Sequence, residues 1–325
     1  MQFIKAIKNY GIIYCIDSIL VNAKLKKELS FSSKIKIQNY LKSIPNKEYP
    51  KILKKRFKNI TGEELNLENP QTFNEKIQWL KIYDSTPQKT LYADKYLVRK
   101  EIKEKIGSKY LIPIIGEAWE NANDIDFFKL PDKFVLKCNH GSGMNIIIKD
   151  KNKINQQKIK KQLNRWLQMD YAFFWQFCDL ELHYSKIHPI IYAEKFIEEM
   201  DGNLHDYKIH CFNGIPHYIE VISDRNLKNH TALEVWYDIN WKKQNFTDGV
   251  YAMNDKDIIK PDCLNEMINI AKTLSKDFMY ARVDLYIIKG RIYFGEITFT
   301  SGSGTYGWNP KNTNIELGKL IKLQK

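Results

Sequence analysis

Residues 280–304 read YARVDLYIIKGRIYFGEITFTSGSG, and this stretch decides the fold of the chain. Apolar and polar residues alternate over its first seven positions, which is typical of a half-buried strand. Side chains two residues apart in a strand lie on the same face, so Arg282 and Asp284 share one face. Residues 287–291 then predict a hairpin turn that leads into a second strand.

The second strand carries Glu296 and Thr298, which are again two residues apart on one face. If the two strands pair, Asp284 joins them as a third hard oxygen ligand, with Arg282 beside the group. This set suits Mg²⁺ that carries phosphates, because Mg²⁺ binds one or two carboxylates and keeps water and phosphate oxygens in the rest of its shell. A structural ion pair between Arg282 and Glu296 is the alternative, and the stretch alone leaves both open.

The composition predicts an acidic partner. The chain of 325 residues has a formal net charge of +13 and a pI near 9.2, which suits a nucleic acid, a membrane surface, a nucleotide or an anionic glycan. No RNA-binding or zinc-finger signature is present, so we expect no nucleic-acid partner. The five cysteines are far apart and form no CxxC pair, which favours reduced thiols and a cytoplasmic location over disulfides or a zinc site.

Residues 1–60 are predicted to form a basic helical extension. Their apolar run from Tyr10 to Val21 contains Asp17 and is too short to span a bilayer. We interpret it as amphipathic, and contact with the inner face of the membrane or with a biosynthetic complex stays open as its role.

Strands and helices alternate in the rest of the chain. Thr72 and Glu75 form a capping-box pattern that predicts a helix over 75–83, and apolar spacing predicts further helices over 92–107, 158–169 and 264–274. The strands are predicted at 111–115, 131–138, 145–149, 190–197, 205–212 and 215–223, with a tight hairpin turn at Asn213-Gly214. Short hairpins among helices indicate an α+β chain and not a doubly wound parallel sheet.

A second polar motif places Lys137 at a strand end, before the loop His140, Gly141, Ser142 and Gly143. A lysine and several backbone N–H groups at such a loop can surround phosphates, although the motif alone favours a plain β-turn. Neither the P-loop nor the dinucleotide-binding glycine pattern is present. Asp206 and Lys208 share one strand face and Arg225 ends the next strand pair, which fits either a site or solvated sheet charges.

In their order along the chain, these pieces resemble the ATP-grasp superfamily, and most closely the TupA-like ATP-grasp proteins of bacterial surface-polysaccharide and teichuronopeptide gene clusters. The resemblance covers about residues 60–310. The residues that carry it are Thr72 to Lys81, Ala93 to Lys95, Lys137 with the loop to Gly143, Asp206 to Lys208, Arg282 to Asp284, Gly295 to Thr298 and Ser301 to Gly304.

The resemblance implies an ATP-grasp fold, in which two α+β subdomains clasp ATP with Mg²⁺. It divides the chain into the basic extension 1–60, a region before the clasp at 61–130, a small lobe with the glycine-rich loop at 131–197 and a C-terminal lobe with the Mg²⁺ site at 198–325.

The resemblance also assigns roles to residues. At the phosphates of ATP, it implies contacts from Lys95, Lys137 and the loop His140, Gly141, Ser142 and Gly143. At the adenine, it implies contacts through the backbone atoms of Glu194, Lys195, Phe196 and Ile197. It places Asp206 at the ribose, and Glu198 and Glu199 are alternative candidates for that role. Those implied to bind Mg²⁺ are Asp284 and Glu296, with Thr298 at a position where many relatives carry asparagine. For the reaction itself, it implies that Lys208 and Arg225 face the γ-phosphate or the acceptor carboxylate and that Arg282 stabilises the oxyanion. Residues Ser301 to Gly304 resemble a loop that holds the substrate.

The function implied is a Mg²⁺–ATP-dependent carboxylate–amine ligase. Its expected partners are ATP, an acidic glycan or glycan precursor, and an amino acid or other amine. No serine nucleophile elbow or HExxH motif is present, and such a ligase needs neither. A glycosyltransferase of the same pathway, a sugar kinase that uses the same cleft and a non-catalytic ATP-binding module are the alternatives.

Overall fold

A computed structural model of the chain describes residues 29–174, 179–197, 204–226, 229 and 231–324. Its helices, numbered in chain order, are α1 (Phe31–Ser43), α2 (Tyr49–Thr61), α3 (Phe73–Tyr83), α4 (Pro87–Ala93), α5 (Val98–Lys105), α6 (Gln156–Leu167), α7 (Tyr171–Phe174), α8 (Leu264–Ser275) and α9 (Thr313–Leu320). Its strands are β1 (Ile114–Trp119), β2 (Phe134–Cys138), β3 (Asn145–Ile148), β4 (Ile191–Lys195), β5 (Asp206–Phe212), β6 (Ile215–Asn226), β7 (Thr231–Asp238), β8 (Ala252–Met253), β9 (Tyr280–Ile288) and β10 (Arg291–Thr298).

The helical extension predicted over 1–60 contains α1 and α2, and residues 1–28 lie outside the described part of the chain. None of the helices described is both long enough and apolar enough to cross a bilayer.

A small sheet has the strand order β1-β4-β2-β3, and all its pairs are antiparallel. One face of this sheet buries Leu136 and Ala193 against Leu163 of α6. Strand β1 belongs to this sheet because it pairs with β4. The predicted boundary between the region 61–130 and the small lobe 131–197 therefore lies between β1 and the other three strands of the sheet.

A large sheet has the strand order β10-β9-β5-β6-β7-β8, and only its last pair is parallel. The alternating pattern of its strands gives it two different faces. One face packs on α8, and its buried core includes Ile209, Val221 and Val283 from the strands with Met267 and Ile270 from the helix. The opposite face carries most of the charged side chains of these strands, and it forms the floor of the candidate site.

The capping box at the start of α3 is confirmed. Thr72 Oγ1 accepts a hydrogen bond from the Glu75 N–H at 3.2 Å, and Glu75 Oε2 accepts one from the Thr72 N–H at 2.9 Å. The helix then buries Phe73 and Ile77 completely, and it lies beside α9 and the turn 301–304. A helix of the N-terminal half thus supports the C-terminal end of the large sheet.

The continuous helix predicted over 92–107 is wrong, because the chain breaks between α4 and α5. Asp94 Oδ1 accepts hydrogen bonds from the N–H groups of Tyr96 and Leu97 at 2.9 and 3.0 Å. Such a local side-chain acceptor competes with helical hydrogen bonding. The break leaves Lys95 on a turn, where it can project away from both helices.

Replacing Gly318 with alanine is expected to destabilise the protein by about 3 kcal/mol, because an added methyl group has no room. A Cβ at this residue of α9 would lie 2.2 Å from the Gln71 carbonyl oxygen and 2.8 Å from the Phe73 nitrogen. The free energy of unfolding from urea titration measures the effect. Gly307→Ala is the matched control, since the nearest atom there is 4.0 Å away. Equal losses in the two variants would contradict the prediction.

Candidate functional site

The candidate site is built where β9 lies between β10 and β5 on the charged face of the large sheet. The registers place Asp284 opposite both Glu296 on β10 and Lys208 on β5, and they place Arg282 opposite Thr298. Directly opposite residues of an antiparallel pair project to the same face. The hairpin predicted from the sequence is therefore present, and these five side chains share one surface.

A β-bulge at Gly295 is what turns Glu296 toward this surface. Phe294 lies in the apolar core, and the register then shifts so that Glu296 rather than Gly295 is opposite Asp284. Without the shift, Glu296 would share the apolar face with Phe294. A Cβ at residue 295 would lie 2.8 Å from the ring of Tyr286, so the bulge requires glycine. The sequence reasoning missed this feature, whose signal was a single glycine inside a strand pattern.

Asp284 is the buried centre of the cluster, and its side chain is 2% exposed. Arg282 donates to both of its carboxylate oxygens at 2.8 Å, and Lys208 Nζ lies 2.8 Å from Oδ2. Burial alone would raise the pKa of Asp284, but the charges and hydrogen bonds of Arg282 and Lys208 lower it to about 2. The carboxylate is therefore ionised at any physiological pH.

Lys208 also pairs with Asp206, at 2.7 Å, and Arg225 Nη2 approaches the same carboxylate at 3.2 Å. Burial alone would lower the pKa of Lys208, but Asp206 and Asp284 raise it. Burial in turn raises the pKa of Asp206. The structure thus places Asp206, to which the resemblance gives a ribose role, directly against two cations that the resemblance places near the γ-phosphate.

Lys95 connects the first half of the chain to these carboxylates. Its Nζ lies 3.0 Å from Glu296 Oε2, with both side chains partly exposed. Its backbone N–H donates to the carbonyl of Asn139 at 3.1 Å, and Asn139 lies two residues after Lys137. Although burial opposes it, Lys95 and Arg282 lower the pKa of Glu296. An ammonium and a carboxylate that are 201 residues apart in sequence thus meet in one cleft.

Lys137 is held by Glu194 on the neighbouring strand β4. The Lys137 Nζ to Glu194 Oε2 distance is 2.6 Å, and Arg99 Nη1 lies 2.9 Å from the other carboxylate oxygen. The Glu194 side chain is 6% exposed, whereas that of Lys137 is 29% exposed. The carboxylate of Glu194 therefore orients two cations, which leaves only its backbone atoms for the adenine contact that the resemblance implies.

The glycine-rich loop has a buried base and an exposed tip. His140 is buried, its Nε2 lies 3.0 Å from the Trp166 carbonyl oxygen, and burial lowers its pKa. A neutral imidazole that donates from Nε2 fits this contact. Gly141 lies so close to Tyr171 that a Cβ would be 2.8 Å from the ring. Ser142 and Gly143 are exposed, so the phosphate contacts predicted for this loop would come from its tip.

The predicted adenine connector follows directly after Glu194. The Lys195 N–H donates to the Pro113 carbonyl at 2.9 Å, and its side chain is exposed. Phe196 and Ile197 are half-buried. The competing ribose candidates Glu198 and Glu199 lie outside the described residues, so their position relative to Asp206 stays a prediction.

The turn 301–304 is fixed between the cleft and α3. Ser301 Oγ accepts from Arg282 Nη1 at 2.8 Å. On the other side, Lys81 Nζ donates to the Ser303 carbonyl at 2.7 Å, and Gln78 donates to the Gly304 carbonyl at 2.9 Å. Sequence reasoning gave no role to Gln78 or Lys81, although both lie in the stretch Thr72 to Lys81 that carries the family resemblance.

Sequence reasoning also missed a buried acidic group that continues the charged face across β6 and β7. It consists of Glu220, Glu234 and Asp248, whose nearest carboxylate oxygens all lie within 4.8 Å of one another. His210 Nε2 lies 3.3 Å from Glu220. Burial and the two neighbouring carboxylates raise the pKa of Asp248 to about 9, so this residue carries a proton at neutral pH. Nothing local in the sequence signals the group, because its members come together only through strand pairing.

Asp248→Asn is expected to remove a pH dependence of stability. Between the unfolded pKa near about 4 and the folded pKa of about 9, the native chain holds a proton that the unfolded chain has released. The free energy of unfolding of the parent therefore falls as pH rises, by up to about 1.4 kcal/mol per pH unit. Urea titrations from pH 5 to pH 8, within about that window, should show a flatter curve for Asp248→Asn than for the parent.

The control for this prediction is Asp255→Asn, because Asp255 is exposed. Its curve should run parallel to that of the parent. A parallel curve for Asp248→Asn as well would show that Asp248 is ionised in the native protein.

The donors in the cleft fit Mg²⁺ and a triphosphate. Glu296 Oε1 lies 3.9 Å from Arg282 Nη2, beyond hydrogen-bond distance, so this oxygen could bind a metal ion. Asp284 supplies a second hard carboxylate, although both of its oxygens are shared with cations. Thr298 Oγ1 already accepts from Arg282 at 3.3 Å, so it is a weaker ligand. Lys95 and Lys208 lie beside these carboxylates, and the contact of Lys95, Lys137 and Lys208 with phosphates stays a prediction.

Two α+β lobes, with Lys95 from the N-terminal half of the chain paired to Glu296 of the large sheet, agree with the ATP-grasp class, whose cofactors are ATP and Mg²⁺. The comparison with protein families agrees with this geometry. The sequence profile of the TupA-like ATPgrasp family matches residues 75–322. The chain belongs to this family.

Solved structures with a similar fold are distant. The D-alanine–D-alanine ligase of Helicobacter pylori is 17% identical over 77% of this chain and 69% of its own, with a TM-score of 0.43. The D-alanine–D-alanine ligase of Bacillus anthracis, in complex with ATP, is 18% identical over 64% of this chain and 54% of its own, with a TM-score of 0.35. The phosphoribosylglycinamide synthetase of Anaerococcus prevotii is 12% identical over 70% of this chain and 48% of its own, with a TM-score of 0.33.

The chain thus spans only about half the length of two of these three proteins. A search of curated protein sequences found no match to it. Family membership therefore depends on the sequence profile and not on these likenesses.

Proposed function

We propose that this protein is a Mg²⁺–ATP-dependent carboxylate–amine ligase that modifies a bacterial surface polysaccharide or its precursor. The preferred substrate pair is a uronic-acid carboxylate and an amino acid or other amine, which the enzyme would join as an amide. The observation that carries the proposal is the meeting of Lys95 with Glu296 beside the Arg282, Lys208 and Asp284 cluster. Since the reaction consumes ATP, we expect it to take place in the cytoplasm.

The first chemical step would transfer the γ-phosphoryl group of ATP to the substrate carboxylate, which yields an acyl phosphate and ADP. Negative charge spreads over the transferring group in this step, and cations in a partly buried cleft stabilise it. Lys95 and Lys137 would hold the phosphates, and Lys208 would meet the γ-phosphate or the carboxylate. Mg²⁺, held by Glu296 and Asp284, would add further positive charge at the phosphates.

The second step would be attack of the amine on the acyl carbon, which forms the amide and releases phosphate. An oxyanion develops at the acyl oxygen in this step. Arg282 is the cation best placed to stabilise it, because its guanidinium is fixed by Asp284 on one side and Ser301 on the other. The reaction needs no side-chain nucleophile, and the loop that Ser301 begins would hold the substrate.

The decisive experiment incubates the protein with Mg²⁺–ATP, a uronic-acid glycan and a mixture of amino acids. The expected result is release of ADP and phosphate only when both substrates are present, together with a glycan whose mass has increased by one amine less one water. Release of ADP with a phosphorylated glycan would show a kinase instead. Stabilisation against heat by UDP-sugars but not by Mg²⁺–ATP would favour a glycosyltransferase and contradict the proposal.

A further inference from the structure

A buried glutamate contacts the chain immediately before the turn 301–304. Glu181 is 6% exposed, and its Oε1 accepts a hydrogen bond from the Thr300 hydroxyl. Thr300 is also buried, and it directly precedes Ser301, whose Oγ accepts from Arg282. Glu181 has no part in the reaction steps proposed above and belongs to none of the motifs identified in the sequence. It is nevertheless connected to the Arg282 guanidinium through two adjacent residues.

The backbone next to Glu181 has an unusual conformation. Leu180 is fully buried and has a φ of 54°, in the left-handed region that residues other than glycine seldom adopt. Its N–H donates to the Ala172 carbonyl at 3.1 Å. Asp179 precedes it and Glu181 follows it. A strained residue of this kind persists only where the surrounding contacts determine its conformation, and such residues are concentrated at functional sites.

An ion pair anchors this segment to α2 of the helical extension. Arg56 of α2 pairs with Asp179, and their side chains are only 6% and 3% exposed. Phe57 of the same helix belongs to the apolar core that contains Leu180. Breaking a buried ion pair leaves a charge without a partner, so the contact holds both elements firmly. Helix α2 lies outside the family match to residues 75–322, yet it fixes a segment that reaches the candidate site.

The same neighbours set the charge of Glu181. Burial and Asp179 raise its pKa to about 7, whereas the positive charge of Lys81 and the hydrogen bond from Thr300 oppose this rise. Lys81 also donates to the Ser303 carbonyl at 2.7 Å, and Ser303 has a positive φ of 53°. Two buried side chains, Glu181 before the turn and Lys81 within it, thus hold this part of the backbone.

We propose that Glu181 is a positioning residue, which holds Thr300 and thereby fixes the Ser301 hydroxyl that orients Arg282. Asp284 accepts from Nε and Nη2 of the Arg282 guanidinium, and Ser301 accepts from Nη1. A displaced turn would therefore release one side of the guanidinium while the other side stayed held. The effect on catalysis rests on the function proposed above, whereas the effect on the turn does not.

The first test is hydrogen exchange at the turn in the full chain. The N–H groups of Ser303 and Thr305 donate to the carbonyls of Thr300 and Gly302 at 2.8 and 3.1 Å, so their exchange rates report local opening. Thr300→Val keeps the shape of the side chain without its hydroxyl, and Glu181→Met removes the acceptor at similar length. Each should speed exchange at both amides about tenfold. Thr300→Ser and Glu181→Gln keep a donor and an acceptor, and they should stay within about threefold of the native rates.

The double variant Thr300→Val and Glu181→Met shows whether the two residues act through one contact. If they do, its exchange is no faster than that of the faster single variant. A further increase of about tenfold would overturn the proposal. Circular dichroism checks the fold, and if Glu181→Met does not fold, the difference between Thr300→Val and Thr300→Ser decides.

The matched control is Thr247→Val. Thr247 also donates its hydroxyl to a buried glutamate, Glu234, and among the described residues neither of the two hydrogen-bonds to the turn 301–304. Exchange at the turn should stay at the native rate in this variant. The same acceleration as in Thr300→Val, or native exchange in Thr300→Val itself, would overturn the proposal.

Steady-state kinetics of the ligase reaction is the second test. Thr300→Val and Glu181→Met should lower kcat about tenfold, while the KM for ATP changes less than about threefold, because the turn acts on Arg282 and not on the nucleotide. Faster exchange with an unchanged kcat would contradict the positioning of Arg282. If the native protein shows no ligase activity, the proposed function fails, and hydrogen exchange still decides whether Glu181 fixes the turn.

Discussion

Glu296→Gln is expected to slow ATP turnover by about a thousandfold, which corresponds to about 4 kcal/mol of activation free energy. Glutamine keeps the size of the side chain but removes the charge that would hold Mg²⁺ beside Asp284. It also removes the ion pair with Lys95, so two contacts to the phosphate region change at once. ADP release measures turnover, and the Mg²⁺-dependent increase in Tm with ATP measures metal-assisted binding. The rate of ADP release and the Mg²⁺-dependent increase in Tm should both decrease in this variant.

The fold should survive this substitution. The Glu296 and Lys95 side chains are 29% and 19% exposed, and partly solvated ion pairs contribute at most about 1 kcal/mol to stability. Glu316→Gln is the control, because Glu316 forms an exposed ion pair with Lys319 on α9 at 2.9 Å. Turnover that is unchanged in Glu296→Gln, or reduced equally in both variants, would discard Glu296 as a metal ligand.

Local structure was largely predictable because it follows from short-range periodicity. The two-residue alternation around Arg282 and Asp284 gave β9 and the face that these residues share. The turn at Asn213-Gly214 is another example, since both residues adopt positive φ, 48° and 76°, which is the conformation that a two-residue hairpin of this type requires. Such features depend only on neighbours in sequence.

The site itself could not be assembled from periodicity. The pairing of Lys95 with Glu296 and that of Lys137 with Glu194 join distant segments, and no local pattern states which lysine faces which carboxylate. The expectation that these lysines and carboxylates share one site came only from the family resemblance, which depends on the order of the motifs along the chain. Glu234 and Asp248 had no such guide, because they lie outside every motif and are brought together by the pairing of β6, β7 and the loop that follows.

Arg282→Lys is expected to lower kcat about a hundredfold while the KM for ATP changes less than about threefold. Lysine keeps the positive charge but cannot hold both oxygens of Asp284 and Ser301 Oγ at the same time. The cation would lose its fixed position at the oxyanion, so the loss should appear in the chemical step. Steady-state kinetics with varied ATP separate the two constants.

Lysine is a sharper substitution here than alanine. Alanine would leave the buried Asp284 carboxylate with Lys208 as its remaining partner, and breaking a buried ion pair costs about 3–5 kcal/mol. A loss of activity in Arg282→Ala would then be confounded by unfolding. Arg291→Lys is the matched control, because this exposed guanidinium donates to the Lys109 carbonyl and lies over the Tyr293 ring, and neither contact involves a residue of the candidate site. If Arg282→Lys raises the KM for ATP more than it lowers kcat, Arg282 binds the nucleotide instead of stabilising the oxyanion.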